Sequence, residues 1–140
     1  MEKTDEISYK IRQKEEQVDI YQSQIQQLEV KLEKLFYAKD KQFKVLDRFL
    51  ESQYKRKRKY QEVLEISKNI RFMRKHSMRV LDIVHGNSAQ QTEWKLEQSK
   101  REIDAEINQT QIEIEQAQSM VGQLEVNINQ LYYERRKLSI

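Results

Sequence analysis

The chain contains no proline and only two glycines, Gly86 and Gly122, in 140 residues. Proline and glycine are the residues that most reliably interrupt regular structure. Leu, Ile, Lys, Glu, Gln and Arg fill most other positions, and each sits comfortably in a helix. Stop and start signals meet at His85-Gly86-Asn87-Ser88. Gly86 suits the left-handed residue that ends a helix, and Ser88-Ala89-Gln90-Gln91 has capping-box spacing for the next start. A connection that short makes antiparallel neighbours. The expected fold is all-α, a long antiparallel helical hairpin or coiled coil in one unit spanning 1–140. Its helices are expected over about 5–84 and 89–139, with the turn at 85–88.

Charged residues make up 35% and apolar residues 37%, too few apolar groups for a thick core but enough for a narrow seam between helices. Sustained apolar periodicity argues against disorder. The 26 basic and 23 acidic residues nearly cancel to +3, which implies interspersed charge rather than a polycation. No apolar run reaches membrane-crossing length, so no membrane insertion is expected. Met-Glu-Lys-Thr-Asp-Glu is a poor start for a signal peptide. The expectation is a protein cytoplasmic as made and, if exported with a partner, carried by a leaderless route. The lack of cysteine excludes disulfides and thiol chemistry.

The last third carries the clearest pattern. An a series of Lys100, Ile107, Ile114, Val121, Ile128 and Arg135 alternates with a d series. That d series is Leu96, Ile103, Thr110, Ala117, Leu124, Leu131 and Leu138. This is the spacing of a coiled-coil seam. Ile112, Val126 and Tyr133 lie opposite it as a second, sparser face, as if the helix touched more than one neighbour. In the first helix Ile7, Ile11, Val18, Tyr21, Ile25, Leu28, Leu32 and Leu35 follow the same rhythm, interrupted by Lys14. The rhythm then restarts at Phe36, Phe43, Leu46 and Leu50, four residues out of step, with Lys39 and Gln42 where the old register wants apolar groups. Such a stutter locally unwinds a supercoil and predicts a bend or a change of packing partner near 36–42. Beyond it, Val63, Ile66, Ile70, Met73, Val80 and Val84 continue the pattern, with Ser77 as the polar exception.

Folding about Gly86 would bring Leu138 near Leu35 and Leu124 near Phe49. The second helix would then be matched by residues 35 to 84 alone, and residues 1–35 would overhang or fold back. On that arithmetic the seam of Ile7, Ile11, Val18, Tyr21, Ile25, Leu28 and Leu32 has no internal mate and is the expected partner-binding site. An exposed apolar seam of that length invites self-association or another protein.

No Gly-rich phosphate loop, nucleophile elbow or metal-ligand spacing occurs, and a thin helical rod has no concave pocket to exclude water. His76 and His85 fit cationic last-turn residues. No enzyme, catalytic residue, cofactor or metal site is expected. Lys55-Arg56-Lys57-Arg58-Lys59 is a basic run between Tyr54 and Tyr60 of the kind that can neutralise phosphates. Five consecutive charges point all around a helix, however. Glu102, Asp104 and Glu106 would lie near them in the Gly86 pairing, so a solvated, salt-bridged segment is favoured over nucleic-acid binding. Membrane-surface binding ranks lower still, because the apolar face is needed for the seam.

The two-helix layout and the C-terminal Leu131-Tyr132-Tyr133-Glu134-Arg135-Arg136-Lys137-Leu138 resemble the WXG-like small helical-hairpin proteins of Gram-positive type VII secretion. They are similar in particular to those encoded beside LXG-domain toxins. No Trp-X-Gly occurs at the expected turn; Trp94 lies eight residues beyond Gly86. Phe43-Lys44-Val45-Leu46-Asp47 matches the Phe-X-X-X-Asp pattern of a related partner family, here inside the first helix, and is read as core with one surface Asp. The resemblance implies a non-enzymatic adaptor or targeting chaperone. It would bind the helical N-terminal domain of a secreted toxin, with other small helical proteins as further partners. An alternative is the coiled-coil stalk protein of a flagellar or type III export ATPase, and a third is a basic nucleic-acid-binding coiled coil.

Overall fold

The computed structural model describes residues 2–66 and 70–139. Among the described residues it is all-α, with three helices: α1 (Glu2–Ile66), α2 (Arg71–His85) and α3 (Asn87–Ser139). The described residues form two units, one of residues 1–35 with 106–140 and one of 36–105. Residues 67–69, which the expected first helix includes, lie outside the described residues.

In the first unit the N-terminal half of α1 packs on the C-terminal two-thirds of α3. Ile11, Val18, Leu124 and Ile128 are buried together, with Ile7, Tyr21, Val121, Leu131 and Tyr132 packed against them. Polar contacts rim this seam. Arg135 Nη1 donates to Ser8 Oγ at 3.4 Å, Tyr132 donates its hydroxyl to Glu15 at 2.8 Å, and Lys31 donates to Glu106 at 2.6 Å. Residue numbers rise along α1 as they fall along α3, so the two segments run in opposite senses. This overturns the overhang. Residues 1–35 have a mate, and Leu124 meets Ile11 and Val18 rather than the neighbourhood of Phe49. Thr110 is fully buried at its d position and stays satisfied by donating to the Glu106 carbonyl at 2.8 Å.

In the second unit α2 and the start of α3 both run back along α1, so the chain does not reverse at 85–88. Tyr60 meets His76 edge to face with ring centroids 6.2 Å apart, Gln42 meets Leu96 and Lys39 meets Asp104. Both α2 and the start of α3 therefore lie along α1. Ile70 precedes α2 in an extended conformation (φ −111°, ψ 97°), and its carbonyl accepts from Arg74 N–H at 3.0 Å.

Gly86 breaks the helix without reversing it. Its φ of −71° and ψ of 173° are extended, not left-handed. A Cβ there would sit 2.7 Å from the Asp82 carbonyl oxygen, so glycine is required by close approach. Gln90 spans the break: its N–H donates to the Gly86 carbonyl at 3.1 Å and its side chain to the His85 carbonyl at 3.2 Å. α3 starts at Asn87, one residue before the expected Ser88 cap. The break rephases the seam. On α2 the covered positions are Ser77, Val80, Leu81 and Val84; the first covered side chains of α3 are Ala89, Glu93 and Leu96. The step from Val84 to Ala89 is neither three, four nor seven. An unbroken helix would carry the α3 heptad back onto Asp82, Arg79 and Lys75, placing three charges in the seam.

The stutter is also corrected. α1 is helical through 36–42, and its covered positions continue in the original register as Lys39, Gln42, Leu46, Phe49 and Gln53. The two polar residues are tolerated because each finds a partner. Lys39 pairs with Asp104 at 2.8 Å, and Gln42 Nε2 donates to the Leu96 carbonyl at 3.1 Å.

Hydrogen bonding to Glu106 raises Lys31 above the ordinary lysine value of 10.5, and hydrogen bonding to Glu15 raises Tyr132 above 10.0. Both groups hold their protons more tightly when folded. Their stabilisation is therefore complete below those ordinary values and fades as pH rises through the raised ones. The pairs are solvent-exposed, so the effect is modest. Thermal unfolding followed by circular dichroism is expected to shift down between neutral and alkaline pH, and the shift is expected to shrink in a Lys31→Met/Tyr132→Phe variant. An equal shift in that variant would assign the alkaline loss to other groups.

Candidate partner-binding surfaces

The residues expected to receive a partner are the ones α3 covers. Ile11 and Val18 are buried, and Ile7, Tyr21, Ile25, Leu28 and Leu32 are half-buried. The structure thus brings the whole set together as one stripe and spends it on the internal seam. Beside it, Tyr21, Gln24, Leu28 and Lys31 face Glu113, Ala117 and Met120 across a shallow groove of about 640 Å³. Glutamine and charged groups share that groove with the apolar ones. The sparser face is left open: Ile112, Val126 and Tyr133 are all exposed.

A further apolar surface comes from the register that lost. With Lys39, Gln42 and Leu46 in the seam, the residues expected to restart it point outward. Phe36 is 46% exposed, Phe43 57% and Leu50 40%. They repeat every seven residues, so they lie in one row along α1. Phe43 is therefore not core, and Asp47, one turn on, is exposed with it. The sequence contained the signal for this row. In the sequence it competes with the register of Lys39, Gln42 and Leu46, and apolar spacing alone favours it for the seam.

The basic run also stands differently. Lys55, Arg56, Lys57, Arg58 and Lys59 are exposed. Lys55 pairs with Glu51 at 3.0 Å and Arg58 with Glu62 at 3.4 Å, both within α1. The expected neutralisation by Glu102, Asp104 and Glu106 does not occur. Asp104 and Glu106 are engaged by Lys39 and Lys31. The α2 helix adds Arg71, Arg74, Lys75 and Arg79 instead. Their side chains form no ion pair among the described residues, and neither histidine is within a metal-holding group there. Residues 55–79 carry ten Lys or Arg against two Asp or Glu.

Among the described residues, no helix is long and apolar enough to cross a membrane. Comparison of the chain with protein-family models, with curated proteins and with solved structures finds no match.

Proposed function

We propose that the protein is a non-enzymatic helical adaptor, an antiparallel coiled-coil hairpin that binds a helical segment of another protein. The partner is the helical N-terminal domain of a secreted toxin, bound for type VII export. The single observation that carries this reading is the outward row of Phe36, Phe43 and Leu50. Heptad-spaced apolar side chains on an open helix face match what a partner helix buries along its own seam. Burying the exposed half of each is worth roughly 1 kcal/mol before the cost of association, so the row acts as the anchor of a larger helix–helix contact. The seam from Ile7 to Leu32 is a poorer site, because using it would require opening the first unit.

The test is co-expression of the chain with the helical domain of a toxin encoded beside it, followed by size-exclusion chromatography. Wild type is expected to co-elute with the toxin domain. Phe43→Glu/Leu50→Glu is expected to abolish co-elution while leaving helicity unchanged, since both side chains already face solvent. Ile112→Ser/Val126→Ser serves as the comparison on the other face. Retention of the complex by the Phe43/Leu50 variant would remove this row from the interface.

A further inference from the structure

α2 is a short helix that begins after the extended Ile70 and ends at the break at Gly86. Its inner face, Ser77, Val80 and Val84, is turned to α1. Its outer face carries Phe72, Lys75, Arg79 and Ile83, spaced three, four and four residues apart and so aligned in one stripe. Phe72 is 79% exposed and Ile83 71%; Ile66, the last residue of α1, is 84% exposed. Arg71 and Met78 flank the stripe, and Asp82 is its one acidic neighbour. Large apolar side chains this exposed, set among cations that form no ion pair among the described residues, are not explained by the seam.

We propose that this cationic end of the second unit docks on the surface of an anionic lipid bilayer. Arg71, Lys75 and Arg79 would contact the headgroups, with Ile66 and Phe72 entering the headgroup–acyl boundary. Charge complementarity supports this occupant. Ten basic residues against two acidic ones lie between 55 and 79, while the remaining sequence holds 16 basic and 21 acidic residues. An anionic surface would attract this segment over the rest of the chain, which is acidic on balance. The choice of lipid over nucleic acid follows from side-chain type. Cations beside a phosphate backbone suffice for nucleic acid, with aromatic rings for stacking. Protruding Ile66, Ile83 and Met78 have no role there but suit the interfacial boundary. Docking of this kind uses a helix face and needs no membrane-spanning segment.

The full chain is to be floated with vesicles of phosphatidylcholine alone and of an equimolar phosphatidylcholine–phosphatidylglycerol mixture. Binding is expected to the mixed vesicles only and to weaken with added salt. Arg71→Gln/Lys75→Gln/Arg79→Gln and Ile66→Ser/Phe72→Ser are each expected to weaken it by about tenfold or more. All five side chains are exposed, so circular dichroism should report unchanged helicity. A Phe72→Trp/Trp94→Phe variant is expected to shift its emission to the blue on mixed vesicles. Three results would overturn the proposal: no flotation with mixed vesicles, full binding by the Ile66/Phe72 variant, or no emission shift. Oligonucleotide retardation that survives Ile66→Ser/Phe72→Ser, without vesicle binding, would assign the patch to nucleic acid instead.

Discussion

Leu124→Ala is expected to destabilise the first unit by about 2–5 kcal/mol, whereas Val126→Ala, two residues away, should stay within about 0.5 kcal/mol of wild type. Leu124 is buried against Ile11, Val18 and Ile128, and truncating it leaves a cavity in a seam only two helices thick. Val126 already faces solvent. Urea unfolding followed by circular dichroism measures both. The more decisive form is a double-mutant cycle of Ile11→Ala and Leu124→Ala. Residues in one cluster should be coupled by about 0.5–3 kcal/mol, whereas distant residues add. A hairpin folded about Gly86 would leave Ile11 unpaired and put Leu124 beside Phe49, so strict additivity would restore that topology and sink the one described here.

The two glycines are expected to respond to alanine with opposite signs. At Gly86 an added Cβ meets the Asp82 carbonyl oxygen at 2.7 Å, backbone that cannot swing aside. The chain can escape by straightening into one helix. That rotates Lys75, Arg79 and Asp82 toward α1 and turns Val84 out. Either course costs stability, by about 1–3 kcal/mol. Gly122 lies within α3 with nothing inside 4 Å of the added atom. There alanine removes backbone freedom from the unfolded chain and should stabilise by about 0.5–1 kcal/mol. Melting temperatures of the two variants decide the matter. Stabilisation by Gly86→Ala would mean that the break is not required by its surroundings.

The same comparison shows what could be read in advance. Along α3 the heptad series was legible throughout: Ile107, Thr110, Ala117, Leu124 and Ile128 are the buried positions, each an a or d residue. Thr110 fitted despite its hydroxyl, because a helix supplies that group with its own carbonyl one turn back. Along α1 two apolar registers compete beyond Leu35, and hydrophobicity favoured the wrong one. Lys39 and Gln42 win their places through Asp104 and the Leu96 carbonyl, groups more than fifty residues away that no local pattern displays. The candidate surfaces were hidden by the same error. Phe36, Phe43 and Leu50 face outward, and two of the three acids expected beside the basic run, Asp104 and Glu106, pair with Lys39 and Lys31 instead.

By itself, then, the sequence determined helix. Without proline, and with residues that lose little on entering a helix, no competing local structure was available. It also determined that α3 would bury one stripe, because apolar spacing is a property of a single helix. The place where the chain reverses was decided only by tertiary structure. A heptad stripe fits a partner equally well after a shift of seven residues, so periodicity leaves register degenerate. The register adopted is marked by individual cross-helix pairs that no heptad pattern displays: Ser8 with Arg135, Glu15 with Tyr132, Lys39 with Asp104, Tyr60 with His76. Gly86, the strongest breaker in the sequence, serves as a rephasing step because α2 before it and the start of α3 after it both lie along α1.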